Sequence, residues 1–175
     1  WGTPVYEWDQ HISNEFYWWR KRFKRQFELV DILRLDHFRG LESYWRVDGD
    51  AKNAIKGEWV KSPGIDLLKS LKSYLSVETL PIIAEDLGVI TENVNNLRDD
   101  FNLPGMKILQ FAFDGNKDNP YLPENIEDNN CVVYTGTHDN STTVSWWENL
   151  EEKVKKKITQ KHNYYENPAW NLIDL

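Results

Sequence analysis

The chain is predicted to be an α/β protein built on a parallel sheet with crossover helices. Short apolar runs at residues 29–35, 80–86, 106–113 and 131–135 have the length and composition of strands. Segments whose apolar side chains recur at helical spacing separate most of them, and this alternation of helix and strand gives parallel sheets. Three of the four runs also end on an acid inside a compact polar motif: Asp36 in RLDHFRG, Glu85 in AEDLG and Asp139 in THDNS.

Taken in order, residues 1–12 carry Gly2 and Pro4 without a clear period and are expected to be loop. Ser13 or Asn14 caps a helix in which Phe16, Trp19, Phe23, Phe27 and Val30 follow helical spacing. The interleaved Arg20, Lys21, Arg22, Lys24 and Arg25 are expected to form its solvated face. The run from Leu29 to Leu35 has the character of a strand buried on both faces. Side-chain alternation then sets Arg34 and Asp36 on one face and Leu33 and Leu35 on the other, a guanidinium beside a carboxylate.

Residues 41–64, with Gly49, Gly57, Pro63 and Gly64, form a long polar excursion of the kind that carries active-site loops in barrels. Within it Tyr44, Trp45, Glu58 and Trp59 are candidate groove walls. Leu67, Leu68, Leu71 and Leu75 predict a short amphipathic helix. The second strand, residues 80–86, carries Pro81 at its start, where a missing N–H matters least, and is closed by Gly88. Thr91 caps the next helix, with Glu92 in its first turn and Val94, Leu97 and Phe101 on its buried stripe. The third strand follows Pro104-Gly105, and a polar loop with Asp114-Gly115-Asn116 leads to the fourth. Thr142 or Thr143 starts another helix, the charged run 151–161 continues helical, and NPAWNLIDL begins a further element.

A chain of 175 residues, 40% apolar and 28% charged, is long enough for a globular domain with a real core. No apolar run reaches the length of a membrane span and no signal peptide opens the sequence, so neither a membrane partner nor secretion is expected. Cys131 stands alone, which excludes an intramolecular disulfide framework and suits a reducing compartment. A net charge of −7 argues against nucleic acid as a partner. Nine Trp, eight Tyr and seven Phe fit a large core and equally a groove whose rings stack on sugars; composition leaves both open.

If the strands belong to a (β/α) barrel, the three acids at their C-terminal ends converge on one site. Two carboxylates about 5–5.5 Å apart across a glycosidic bond make a retaining glycosidase or transglycosidase. Asp36, beside Arg34, suits the nucleophile. Glu85, ending the run Ile82-Ile83-Ala84, suits the proton donor, and Asp139, beside His138, suits a group that binds sugar hydroxyls and stabilises positive charge. A metal site drawn from Asp36, His37, Glu85, His138 and Asp139 is a second reading, although these residues lack a tight metal spacing. Caps and ion pairs of purely structural purpose are a third.

At these motifs the sequence resembles family 77 of the glycoside hydrolases, the 4-α-glucanotransferases. The resemblance runs through GTPVYEWD, RLDHFRGLESYW, GEWVKSPG, IIAEDLGVIT, NLPGMKILQFAF, NPYLPEN and VVYTGTHDNSTT, in the family's order and spacing. It implies a (β/α)₈ TIM barrel of which residues 1–175 are a single catalytic-domain segment, about strands 4 to 7, without the N-terminal strands and the final strand. It further implies Asp36 as nucleophile, Glu85 as general acid/base and Asp139 as transition-state stabiliser. Arg34 and His138 match companions of the nucleophile and of the sugar hydroxyls, while His37, Gln110 and Phe111 match positions flanking the nucleophile or facing the glucan groove. The implied substrates are maltooligosaccharides and other α-1,4-glucans, without cofactor or catalytic metal, in the cytoplasm or, in a photosynthetic eukaryote, the plastid. An α-amylase-type hydrolase and a non-catalytic glucan-binding segment are the alternatives. Thr3 and Ser141 depart from the family's usual Asn and Asp and bear on fine substrate contacts.

Overall fold

A computed structural model describes residues 3–127, 129–161 and 167–174. The chain is α/β and divides into two compact units, Trp1–Gly105 and Met106–Leu175.

In the first unit, residues 1–12 are less loop-like than expected, because Trp8–Ser13 form a short helix, α1. Helix α2, Tyr17–Phe27, follows a left-handed Phe16. Asn14 still supplies the side-chain acceptor for this start, its Oδ1 receiving the Tyr17 N–H at 3.2 Å. The expected stripe is buried at Phe16, Trp19 and Phe23, but Val30 is exposed. The basic face is solvated as expected at Lys21, Arg22, Lys24 and Arg25, while half-buried Arg20 donates to Ser70 of the facing helix and pairs with Glu15, and Arg22 lies over Trp18 and Trp19.

The first strand is the largest correction. Only Leu33–Leu35 (β1) is extended, and it is half-buried. The amides of Leu29 and Val30 bond back to the Gln26 carbonyl, prolonging the helix end, and Leu29, Val30 and Ile32 are exposed. Their apolarity therefore does not mark a strand buried on both faces. β1 pairs in parallel with β4 (Ile82–Ala84), in the register Leu33↔Ile82, Arg34↔Ile83, Leu35↔Ala84. The excursion between them holds a 3₁₀ turn at Phe38–Leu41 and an antiparallel pair, β2 (Ser43–Arg46) with β3 (Glu58–Lys61). Opposed Trp45 and Trp59 pack edge-on across this pair, the kind of aromatic cross-strand contact that stabilises a ladder.

Helix α3, Gly64–Leu75, presents Leu67, Leu68 and Leu71, all fully buried, to a core shared with Trp19, Phe23, Phe38, Leu41, Ile82, Val94 and Leu97. Each such leucine contributes about 1.5–3 kcal/mol by leaving water. Helix α4, Glu92–Asp100, starts after an extended Thr91 and buries Val94 and Leu97 as expected.

In the second unit, the strand expected over 106–113 is shorter. β5 is Gly105–Ile108, and the chain then tightens into a 3₁₀ turn at Leu109–Phe111. It forms a two-stranded sheet with β6, Cys131–Tyr134. Thr142 caps α5 (Thr143–Glu148), its hydroxyl accepting the Ser145 N–H. Helices α6 (Glu152–Lys161) and α7 (Pro168–Ile173) follow, the latter capped by Asn167. Trp147, Ile158 and Leu172 are buried. Among the described residues no helix is long and apolar enough to cross a membrane.

Candidate active site

Local geometry brings four of the expected site residues together in the first unit. β1 ends at Leu35 and β4 at Ala84, register partners, so Asp36 and Glu85 leave the sheet side by side. Arg34 Nη2 lies 2.8 Å from Asp36 Oδ1, the same-face pairing that strand alternation predicts. The Asp36 side chain is 62% exposed, so the pairing orients a carboxylate that remains accessible.

His37 then adopts a left-handed backbone, φ 49°, which only a few per cent of non-glycine residues do. This turns its N–H onto Glu85 Oε2 at 2.7 Å, while the Leu87 N–H reaches Oε1 at 3.0 Å. The Phe38 N–H also takes the Glu85 carbonyl, at 3.1 Å. Both carboxylate oxygens of Glu85 are thus held by backbone donors, one of them on the residue after Asp36. Its neighbour Asp86 points the other way, buried against Arg98 of α4 at 2.5 Å, and packs where a side chain on Gly105 would collide. A single dipeptide therefore sends one acid to the loops and the other to the core.

Asp36, His37 and Arg34 line an open cleft of about 1360 Å³. Of the four groove walls expected from the sequence, Tyr44, Trp45 and Trp59 line it and Glu58 does not; Tyr6, Trp8 and Trp19 form another part. Such aromatic walls with a few polar groups suit the apolar faces and hydroxyls of a sugar chain. Glu85 is not among the lining residues.

His138, Asp139, Gln110 and Phe111 belong to the second unit. His138 Nε2 stands 3.4 Å from Asp139 Oδ2, and both side chains are exposed. The loop that presents them is knotted by Asn140, whose Oδ1 accepts the Thr137 N–H and hydroxyl at 2.7 and 2.8 Å. Gln110 braces the same loop: its N–H bonds Thr135 O and its amide donates to Ser141 O at 3.1 Å. Phe111 is 40% exposed and meets Tyr121 edge-on. Buried Asn119 holds the Phe111 carbonyl at 2.8 Å. Among the described residues no three His, Cys, Asp or Glu gather as a metal ion requires.

Against proteins of known family, the model described as 4-alpha-glucanotransferase, glycoside hydrolase family 77, matches residues 1–175. The chain belongs to this family. It is 49% identical over 180 residues to the 4-alpha-glucanotransferase of Synechocystis, covering 100% of this chain and 35% of that protein. It is 46% identical to the chloroplastic/amyloplastic 4-alpha-glucanotransferase of Arabidopsis thaliana, covering 90% of this chain and 27% of the relative. Among solved structures it superimposes on the amylomaltase from Streptococcus agalactiae in complex with acarbose, with a TM-score of 0.84 and 38% identity, over 95% of this chain and 33% of that one. The chain thus spans about a third of the length of the 4-alpha-glucanotransferases it matches.

Several residues that shape the site carried no sequence signal of their own. Arg39, Asn119 and Asn140 act through loop geometry, and the β2–β3 pairing lay hidden in a polar stretch interrupted by Gly49 and Gly57. Trp45 opposite Trp59 is the cross-strand cue that marks it.

Proposed function

We propose that residues 1–175 are a single catalytic-domain segment, about strands 4 to 7 of a (β/α)₈ barrel, of a 4-α-glucanotransferase acting on α-1,4-glucans. Asp36 attacks the anomeric carbon as the bond to the departing 4-oxygen breaks, and Glu85 hands that oxygen its proton. Glu85 then takes the proton from the 4-hydroxyl of an incoming glucan, whose oxygen displaces Asp36 and restores the α configuration. Asp139 stabilises the positive charge that develops at the ring between these states, and His138 binds sugar hydroxyls. The chemistry needs two carboxylates and no cofactor, and the setting is cytoplasm or plastid stroma.

The observation that carries this reading is the adjacency of Asp36 and Glu85 at the ends of register-matched parallel strands, with Arg34 on Asp36. Family membership and the aromatic cleft support the substrate class. Rotation of the Glu85 side chain off its backbone donors is then part of engaging a leaving oxygen.

In the intact protein, maltotriose should be scrambled into glucose and both shorter and longer chains; steady release of reducing ends would favour hydrolysis instead. Asp36→Asn should lower turnover by on the order of 10⁴-fold or more, the scale of losing a nucleophile, while maltooligosaccharide binding by calorimetry stays within a few-fold. Transfer at a rate near the parent's would overturn the assignment.

A further inference from the structure

Glu85 sits where β4 gives way to a loop, and that loop is tied back by a residue assigned no part in the chemistry. Arg39 lies on the 3₁₀ turn Phe38–Leu41, whose base is fixed by Phe38, fully buried, and Leu41, nearly so. From there its Nη1 donates to the Val89 carbonyl at 2.6 Å, across the loop from Glu85. Its guanidinium also lies over the Trp59 ring, 4.5 Å from the centroid, on the antiparallel pair that walls the cleft. Val89 is 79% exposed and Gly88 has φ +83°, so this stretch has little packing of its own to hold it. The Nε of Arg39 is buried without an acceptor. Its placement therefore follows from Val89 and Trp59 and not from saturation of its five donors.

We propose that Arg39 is a positioning residue that acts through Glu85, clamping the 85–89 loop against the Asp36–His37 turn and the Trp59 strand. The inference rests on Glu85 being the acid/base. The guanidinium does two things at once, a directed hydrogen bond to Val89 O and a cation–π contact over an indole, from two different parts of one rigid plane, which a lysine's single ammonium does not reproduce together. With the clamp released, the loop drifts, and the carboxyl of Glu85 no longer meets the departing oxygen in the geometry that proton transfer needs.

The test compares Arg39→Met and Arg39→Lys with Glu85→Gln in the intact protein, using maltotriose and α-maltosyl fluoride as donors. Fluoride departs with the bonding pair and needs no proton, so its first-turnover release reports attack by Asp36 without the acid. Glu85→Gln should lose maltotriose turnover and keep first-turnover fluoride release. Arg39→Met should follow it, with kcat on maltotriose falling on the order of 10- to 100-fold, the scale of a small misplacement. Its fluoride release should stay within about 3-fold, since that step lacks the 10²–10⁴-fold assistance of a general acid. Arg39→Lys, keeping one contact of the two, should fall between. Equal losses on both donors, a rise in KM on both, or no loss at all for Arg39→Met would overturn the inference while the Glu85 assignment stands. Proportional loss of fluoride release in Glu85→Gln would overturn that assignment and the inference with it.

Discussion

Glu85 and Asp86 are chemically almost the same residue, and their neighbours divide them. Asp86, 7% exposed, meets the Arg98 guanidinium, itself 14% exposed. Burial works against the charge on Arg98, but hydrogen bonds to Asp99 and Asp86, with their charges, outweigh it and raise its pKa above the ordinary arginine value. Breaking a buried ion pair by removing one of its members costs about 3–5 kcal/mol. Arg98→Met should therefore lower the urea midpoint of the intact protein by that equivalent at unchanged slope. A change below about 1 kcal/mol, the size of a surface pair, would show that Asp86 finds water instead. From the sequence, Glu85 is the acid that ends the AEDLG strand, and Asp86 carries no role of its own. Both lie beyond the last residue of β4, so their burial and partners, and not strand alternation, tell them apart.

At the scale of elements, contacts made by α3 and β1 explain what sequence patterning could and could not reveal. The leucine stripe of α3 was legible from its spacing, since a helical period survives whatever the helix packs against. Its starting residue was not. Gly64 opens the helix because a Cβ there would stand 2.2 Å from the Leu41 carbonyl oxygen, a backbone atom that cannot swing aside. Gly64→Ala should destabilise by about 1–3 kcal/mol, as overpacking does, read as a fall in thermal midpoint; a neutral result would mean that the α3 entry shifts freely. The run Leu29–Leu35 shows the opposite failure. Its composition suits a strand, yet Leu29 and Val30 continue the helix end by bonding to Gln26, because a short apolar run has no period of its own to decide between the two.

For the whole molecule, the exposed Leu29, Val30 and Ile32 approach a strand, β1, whose sheet has two strands among the described residues. Open edges and clustered apolar side chains invite pairing, and the relatives are about three times as long as this chain. A polypeptide of residues 1–175 alone should bind an apolar dye such as ANS and unfold at a lower temperature than the intact protein. Equal midpoints and no dye binding would show that this segment completes its own core.

Residue identity and order were enough for the α/β class, the motifs that mark the family, Asp36 and Glu85 directly after their strands, the pairing of Arg34 with Asp36, and the helical stripes that bury Leu67, Leu71, Val94 and Leu97. These depend on residue identity and on periods of two and 3.6, which are local. Packing in space sets the rest: Glu85 rests on the backbone of His37, Asp86 turns inward to Arg98, Gln110 braces the loop of Asp139, and Arg39 spans from Val89 to Trp59. Those partners lie tens of residues apart or depend on a left-handed turn, and their distance in the chain carries no periodic trace of their contact in space.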